Sequence, residues 1–148
     1  MADFSTRLAA VNDAAAIADV FTSSFRLLTF LPVLHTAEEN RDFIRNVILR
    51  DCVVMVAECR AAVVAFLALH AEEVRFLYVH PDFIGMGADS LLMEAAKQSG
   101  VKALELWCFQ ANLRARLFYE RHGFKAIRFT DGQDNEEKSP DVRYRWQR

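Results

Sequence analysis

Hydrophobic residues recur every three or four positions in four stretches of the chain, and this spacing predicts four helices. The first stretch follows Asn12, a residue type that often caps a helix. The second begins at Thr36 and Glu39, which have the spacing of a capping box. The third ends before Gly100, and the fourth begins after Asn112. The helices therefore have recognisable starts and stops as well as apolar faces.

Seven other stretches are rich in β-branched and aromatic residues, which favours strands. They cover residues 5–9, 52–58, 62–70, 73–79, 103–109, 124–130 and a final strand from 142 onward. In order, the elements are β-α-α-β-β-β-α-β-α-β-β. Three consecutive strands form a meander, while helices separate the others. This order predicts an α/β (α+β) fold with a mixed, mostly antiparallel, twisted sheet of about seven strands and about four flanking helices.

Composition narrows the classes of protein that the chain can represent. The 148 residues suit one domain, 1–148, and a hydrophobic fraction of 53% supports a packed core rather than disorder. The formal net charge of −2 gives no indication of a nucleic-acid partner, although Arg114, Arg116 and Arg121 form a local basic cluster. The longest apolar run, 61–69, is too short to cross a membrane, and no signal peptide is expected.

The three cysteines indicate a reducing compartment. Cys52, Cys59 and Cys108 cannot all pair within one chain, and we expect reduced, mostly buried thiols in a cytoplasmic protein. No Cys-x-x-Cys pair or histidine cluster predicts a metal site.

A glycine turn at Gly85 and Gly87 joins a predicted strand to a predicted helix. Such a turn directs free backbone N–H groups and the positive end of the helix toward one point, which suits a phosphate or pyrophosphate. No Gly-Lys-Ser/Thr follows, and a third glycine at dinucleotide spacing is missing. On these two glycines alone, a tight turn without a ligand is the simpler interpretation.

A second motif changes that interpretation. Seven residues match the pattern N-x-x-A-x-x-F/L-Y-E-x-x-G-F: Asn112, Ala115, Phe118, Tyr119, Glu120, Gly123 and Phe124. Together with the glycine turn, the chain resembles the GNAT acetyltransferase superfamily, in which the turn binds the pyrophosphate of acetyl-CoA. The resemblance covers nearly the whole chain, includes the element order, and points to a small bacterial single-domain branch. It implies a GNAT-like acyl-CoA N-acyltransferase fold.

The resemblance also implies which residues contact the coenzyme. The backbone of Leu77 and Val79 would pair with the pantetheine arm beside a β-bulge, with the Val79 amide facing the thioester carbonyl. Asn112 would bond the pantetheine arm or a water molecule, and Arg121 would reach the 3′-phosphate. The residues expected around the pyrophosphate are Ile84, Gly85, Gly87, Ala88, Asp89 and Ser90.

Two of these residues depart from the family pattern. Ile84 stands where the family usually has Gln or Arg, which removes one polar contact. Asp89 stands where the family usually has Gly or Ala. A carboxylate about 6 Å from the pyrophosphate would cost about 2–3 kcal/mol of binding at an effective dielectric near 20. Alternatively, Asp89 would complement the helix N-terminus and stabilise it by about 0.3–1 kcal/mol.

Acetyl transfer from a thioester to an amine needs a neutral amine, a donor for the oxyanion and a proton for the thiolate. By resemblance, Tyr119 is expected to be the general acid; the alternative is a core tyrosine. For the base, two candidates remain open: Glu73, on the strand that precedes the turn, and a chain of water molecules.

We expect the acceptor to bind between the first two helices and the last loop. Residues 131–141 contain five acidic residues and one lysine, and an acidic rim would attract a cationic amine; a solvated hairpin loop is the alternative. The expected substrate-binding residues are Phe25, Leu28, His35, Asn135 and Glu136.

Three functions follow from these expectations. The first is acetyl transfer from acetyl-CoA to a small amine, and the second is acetylation of a protein lysine or N-terminus. The third is a non-catalytic acyl-CoA-binding module, suggested by Ile84 and Asp89. The expected partners are therefore a small-molecule amine or peptide acceptor, with no nucleic acid and no membrane. A homodimer could form if Tyr144 and Trp146 of the last strand packed across a two-fold axis.

Overall fold

The structure is a computed structural model and describes residues 3–148. One seven-stranded sheet runs through it in the order β1-β2-β3-β4-β5-β7-β6. The strands are β1 (Ser5–Leu8), β2 (Val53–Cys59), β3 (Ala62–His70), β4 (Glu73–Val79), β5 (Ala103–Phe109), β6 (Lys125–Thr130) and β7 (Asp141–Gln147). Neighbouring strands are antiparallel except for β4 and β5, which are parallel. The predicted mixed sheet and the order of its elements are confirmed.

Within residues 3–148, four helices flank the sheet. They are α1 (Ala14–Phe25), α2, α3 (Ala88–Lys97) and α4 (Leu113–Arg121); α2 comprises Ala37–Phe43, a π-helical stretch Ile44–Ile48 and the short end Leu49–Asp51. The predicted capping box of α2 is present, because Thr36 Oγ1 and a Glu39 carboxylate oxygen each accept a backbone N–H from the other residue.

The cap predicted for the first helix is wrong. A 3₁₀ turn, Val11–Asp13, precedes α1 and contains Asn12. Asp13 stands at the N-cap of α1 but makes no side-chain cap hydrogen bond; its carboxylate instead accepts the backbone N–H of Ala10, which precedes the helix, at 2.7 Å. Arg7 also donates to the Asp13 carboxylate, which holds the pKa of Asp13 below its ordinary value.

The helices cover opposite faces of the sheet and create two cores. Side chains alternate along a strand, so Phe66 of β3 packs with the α1 and α2 side while Leu67 packs with α3 and α4. No helix within residues 3–148 has the length and apolar character needed to span a bilayer.

The sheet opens between β4 and β5. These strands are paired at Glu73 and Glu105, near their starts, where Glu105 N–H also donates to the Glu72 carbonyl at 2.8 Å. The register between β3 and β4 skips Arg75, which is therefore a bulge in β4. Beyond the bulge, β4 and β5 diverge and leave a gap toward their carboxyl ends.

The last strand does not offer the dimer surface that we expected. β7 lies between β5 and β6, and Tyr144 is fully buried, with its hydroxyl donating to Glu120 at 2.7 Å. Trp146 packs under the cations of Lys97 and Arg148. Tyr144 is thus a core residue and cannot pack across a two-fold axis.

Candidate functional site

A groove of about 690 Å³ occupies the gap between β4 and β5 and reaches the first turns of α3 and α4. Most of the residues predicted to contact a coenzyme line it: Leu77, Val79, Ile84, Gly85, Gly87, Asp89, Ser90, Asn112 and Arg121. Ala88 does not line the groove. It is only 1% exposed and packs into the core beneath α3, because the first turn of the helix directs its side chain inward.

The end of β4 presents backbone groups to this groove. The His80 N–H donates to the Val64 carbonyl of β3 at 2.7 Å, so the Val79 carbonyl in the same peptide unit points the other way, into the gap. Ser24, at the end of α1, donates its hydroxyl to that carbonyl at 2.6 Å. Ser24 was not among the predicted site residues. A hydroxyl residue on the buried face of α1 was the one indication available.

The glycine turn has the geometry of an anion-binding turn. Gly85 and Gly87 have φ values of +79° and +96°, a left-handed conformation that disfavours other residues. Gly87 is the N-cap of α3 and, having no side chain, leaves the N–H groups of the first turn uncapped. Asp89 takes one of them, because its Oδ1 accepts the Ser90 N–H at 2.8 Å. Asp89 therefore lines the groove and also complements the helix N-terminus, so the two alternatives considered for its carboxylate are compatible.

Arg114 reaches over the turn from α4. Its Nη2 lies 3.3 Å from the point that a Cβ on Gly85 would occupy. Arg114 and Arg121 line the groove, and in the part of the chain that the structure describes neither forms an ion pair. Arg116 instead donates to the Tyr144 hydroxyl at 3.1 Å. Of the three arginines in the basic cluster, Arg114 and Arg121 therefore line the groove, and Arg116 binds the buried Tyr144.

Tyr119 lies buried on the wall of the groove. Its ring packs against Phe118, Phe124 and Tyr144, with centroids 5.4, 5.7 and 6.0 Å away. Burial, followed by the neighbouring Cys108, raises the pKa of Tyr119 well above its ordinary value. Among residues 3–148, no group hydrogen-bonds the Tyr119 hydroxyl. The Tyr119 phenol therefore keeps its proton at neutral pH, and within residues 3–148 its hydroxyl is free to donate to a ligand in the groove.

Cys108 stands nearby on β5 but is unsuited to be a nucleophile. Burial raises its thiol pKa to about 12, so the thiolate is scarce at neutral pH. Within residues 3–148, no three His, Cys, Asp or Glu side chains are grouped to hold a metal ion.

Glu73 is not brought together with the other candidates. It lines neither the groove nor the second cavity described below, and its carboxylate accepts from Arg143 at 2.7 Å and lies 3.3 Å from Arg75. Arg143 also donates to Glu105, which lowers the pKa of that carboxyl together with Arg145. Glu73 therefore belongs to an ion-pair network where β4 and β5 pair.

A second cavity, of about 720 Å³, lies on the side of α1 and α2. Phe25, His35, Asn135 and Glu136 line it, as predicted for an acceptor site, whereas Leu28 lines the coenzyme groove instead. The chain after α1 turns back through the hydrogen bond from Leu28 N–H to Phe25 O, which carries Leu28 toward the groove.

The acidic loop is anchored rather than free. His35 Nε2 and Glu136 Oε1 lie 2.5 Å apart and connect the loop after α1 with the loop before β7. Asn135 donates to the Ser139 carbonyl at 2.6 Å and to Asp141 at 3.1 Å. These contacts bring the loop onto the cavity and argue against a purely solvated hairpin.

The groove and the second cavity share one wall. The residues that line both are Arg75, Phe76, Tyr78, Trp107, Cys108 and Phe109, all at the divergence of β4 and β5. A ligand in the groove and a ligand in the cavity would therefore meet there.

A divergent sheet with an anion-binding turn at the end of the strand beside the gap is the architecture of an acyl-CoA transferase domain. Comparison with protein families agrees with it: the model of the acetyltransferase (GNAT) domain matches residues 50–126. The chain belongs to the GNAT acetyltransferase family.

Solved structures show the same fold. Apo YjaB from Escherichia coli is 23% identical, with a TM-score of 0.78 and 97% of each chain covered. A GCN5-related N-acetyltransferase from Rhodopseudomonas palustris is 22% identical, with a TM-score of 0.77 and coverage of 100% of this chain and 98% of that one. The PaiA N-acetyltransferase of Thermoplasma acidophilum, solved with coenzyme A, is 16% identical, with a TM-score of 0.73 and 99% of each chain covered. A search of curated proteins found no match.

Proposed function

We propose that the protein transfers the acetyl group of acetyl-CoA to a primary amine by direct attack. The observation that carries this proposal is the shared wall between the coenzyme groove and the second cavity, with Tyr119 on the groove side. A thioester in the groove would face an amine in the cavity without a protein-bound intermediate. PaiA of T. acidophilum was solved with coenzyme A, which supports coenzyme use by this fold.

The coenzyme would lie along the groove in an order set by its charges. The pyrophosphate would bind at the Gly85–Gly87 turn, where N–H groups and Arg114 converge. The pantetheine arm would run along the diverging end of β4 past Val79. Asn112 already caps α4 by accepting the Ala115 N–H at 3.2 Å, so it would offer its amide N–H to this arm.

The reaction would proceed in one displacement with a tetrahedral intermediate. The neutral amine nitrogen attacks the thioester carbonyl, a C–N bond forms, and the C–S bond breaks with its electron pair passing to sulfur. Tyr119 donates its proton to the thiolate, and the proton lost by nitrogen returns to the phenolate through water. The products are an acetylated amine and the free thiol of coenzyme A, and the protons balance.

The proton acceptor in this scheme is water rather than Glu73. Glu73 lies in the ion-pair network with Arg143, outside both cavities. Water molecules in the two cavities would carry the proton between the amine and Tyr119, which is the second alternative from the sequence analysis.

The acceptor in this proposal is a small molecule. The contact between His35 and Glu136 crosses from one loop to the other at the cavity and restricts the width available to a protein chain. An exposed lysine of a protein or an N-terminal peptide is the second candidate, and coenzyme binding without catalysis is the third. We further propose that residues 1–148 form one catalytic domain that acts in the cytoplasm.

The test is release of free thiol from acetyl-CoA over a panel of amines, amino acids and peptides, with calorimetric titration of coenzyme A in parallel. We expect coenzyme binding and amine-dependent thiol release that Tyr119→Phe reduces. Coenzyme binding without release for any acceptor would favour the non-catalytic module. Release with peptides alone would favour the protein acetyltransferase.

A further inference from the structure

The acceptor cavity has an aromatic wall that is already assembled. Phe21 of α1 packs edge-on against Phe76 and Tyr78 of β4, with centroids 5.4 and 5.3 Å away. The ring of Phe25 packs against that of Phe21, with centroids 6.0 Å apart, and the ring of Phe43 of α2 packs against that of Phe76, with centroids 6.1 Å apart. A cavity of about 720 Å³ with such a wall exceeds what a bare alkylamine would fill. An acceptor with an aromatic body would displace its water and bury its ring.

Two carboxylates that line this cavity, Asp134 and Glu137, have no side-chain partner within residues 3–148, and Glu137 is the less exposed of the two. Glu136 is held by His35, and Asp141 by Thr130 and Asn135. Glu137 also lines the cavity and is half-buried, yet within the described residues 3–148 it makes no side-chain hydrogen bond or ion pair.

Glu137 and the aromatic wall line the same cavity. Burial, followed by the charge of Glu137, raises the pKa of Tyr78, so the carboxylate and the phenol act on each other across the cavity. A partly buried anion beside aromatic rings is complementary to a cation, which gains both an ion pair and contacts with the ring faces.

Three arginines limit how many cations the cavity accepts. Arg26, Arg75 and Arg128 line it together with the acidic residues. Arg75 is close to Glu73, while Arg26 and Arg128 have no ion-pair partner among residues 3–148. A linear polyamine would place further ammonium groups near these arginines, whereas a monoamine places a single one at Glu137.

We propose that the acceptor is a monoamine carried on an aromatic body, with its ammonium bound by Glu137 and its ring against Phe21, Phe76 and Tyr78. This inference rests on the proposed acetyl transfer and specifies its substrate class. The amine binds as an ammonium at Glu137, loses a proton to water, and then attacks the thioester as described above.

The first arm of the test compares 2-phenylethylamine with ethylamine, spermidine and a lysine-containing peptide in the thiol-release assay. We expect kcat/KM for 2-phenylethylamine to exceed that for ethylamine by at least about thirtyfold, because burial of the ring is worth that factor. It should also exceed the value for spermidine. A preference for spermidine or for the peptide would overturn the proposal and leave acetyl transfer intact.

The second arm tests Glu137 directly. We expect Glu137→Gln to raise KM for 2-phenylethylamine about tenfold and to leave coenzyme affinity unchanged. Asp134→Asn is the matched control, because Asp134 also lines the cavity but is more exposed. Equal KM values in the two variants would assign the ammonium to another group and overturn the role of Glu137.

A third arm separates this inference from the proposed function. Calorimetry measures binding of 2-phenylethylamine to the protein saturated with coenzyme A. If no amine releases thiol but 2-phenylethylamine still binds and Glu137→Gln weakens it, the acceptor class stands and catalysis fails. If 2-phenylethylamine does not bind, the acceptor class is wrong whether or not other amines react.

Discussion

The Asp89 carboxylate accepts the backbone N–H of Ser90 at 2.8 Å, in the first turn of α3. Asp89 is also the one acidic residue among the described residues that line the coenzyme groove. The protein thus places its own anion where a phosphate of the coenzyme would bind, and occupies one of the donors that the phosphate would use.

We expect Asp89→Gly to lower the dissociation constant of coenzyme A about tenfold. The substitution frees the Ser90 N–H and removes a like charge that costs about 1–3 kcal/mol of binding at groove distances. Titration calorimetry measures the effect. Asp89→Asn is the informative comparison, because it keeps an oxygen acceptor for Ser90 and removes the charge. Unchanged affinity in both variants would contradict a role for Asp89 at the phosphate.

Arg114 and Arg121 should contact different phosphates. Arg114 lies over Gly85 and is expected at the pyrophosphate, whereas Arg121 is expected at the 3′-phosphate. Each replacement by Ala should weaken coenzyme A about five- to thirtyfold, as loss of a charge-assisted hydrogen bond does.

The two roles are distinguished with 3′-dephospho-coenzyme A. Arg121→Ala should bind this analogue as well as the unchanged protein does, while Arg114→Ala should bind it more weakly. If both variants lose the same affinity for both ligands, the assignment of the two phosphates is wrong.

Ile84→Gln restores the residue usual in the family and should recover part of the affinity lost in Arg114→Ala.

Tyr119 and Tyr144 offer a matched pair, because their rings are 6.0 Å apart but their hydroxyls differ in contacts. Tyr119→Phe should lower kcat about a hundredfold with little change in thermal stability, because its hydroxyl has no partner within residues 3–148. Tyr144→Phe should instead lower the free energy of unfolding by about 1–2 kcal/mol, because it removes the hydrogen bonds to Glu120 and Arg116. The reverse assignment of the two effects would exclude Tyr119 as the general acid.

The pH dependence of kcat follows from the direction of the Tyr119 pKa. Since burial raises that pKa above the ordinary 10.0, the phenol stays protonated through neutral and moderately basic pH. Tyr119 therefore produces no fall in kcat below about pH 10. A basic limb near pH 8 that disappears in Tyr119→Phe would mean that the phenol ionises there and contradict this expectation.

Glu73→Gln tests whether Glu73, rather than water, accepts the proton of the amine. We expect the pH profile of kcat/KM to keep its shape, and the free energy of unfolding to fall by about 1 kcal/mol through loss of the pair with Arg143. Glu105→Gln is the structural comparison and should cost more, because Glu105 binds both Arg143 and Arg145. Loss of the acidic limb in Glu73→Gln alone would instead show that Glu73 accepts the proton through water.

Much of the fold could be predicted because its determinants are local. The β-branched and aromatic content of 62–70 and 73–79, and the alternation of apolar residues in 103–109, predicted those three strands at the boundaries that the structure has. The caps at Thr36 and Asn112 each accept the N–H of the residue three positions further on, so both partners are visible in the local sequence. The cap predicted at Asn12 is wrong because Asn12 lies inside the 3₁₀ turn before α1, whereas Asp13 stands at the N-cap and is bound by Arg7 of β1.

The site was harder to predict where a residue's role depends on a partner distant in sequence. Glu73 was chosen for its strand, but its neighbour across the sheet is Arg143. Leu28 was assigned to the acceptor side, and the turn after α1 carries it to the coenzyme groove. Ser24 and Arg114 were missed because their contacts at Val79 and Gly85 exist only once the helices are packed on the sheet.

The sequence by itself determined the order of the elements, the glycine turn and the tyrosine helix, because periodicity, caps and positive-φ turns depend on neighbouring residues. Tertiary structure alone decided where β4 and β5 separate, that Asp89 accepts a helix N–H, and that Glu137 has no side-chain partner within residues 3–148 in the cavity with the aromatic wall. Those features arise from the divergence of two parallel strands and the packing of α1 and α2 on the other face, which bring together residues far apart in the chain.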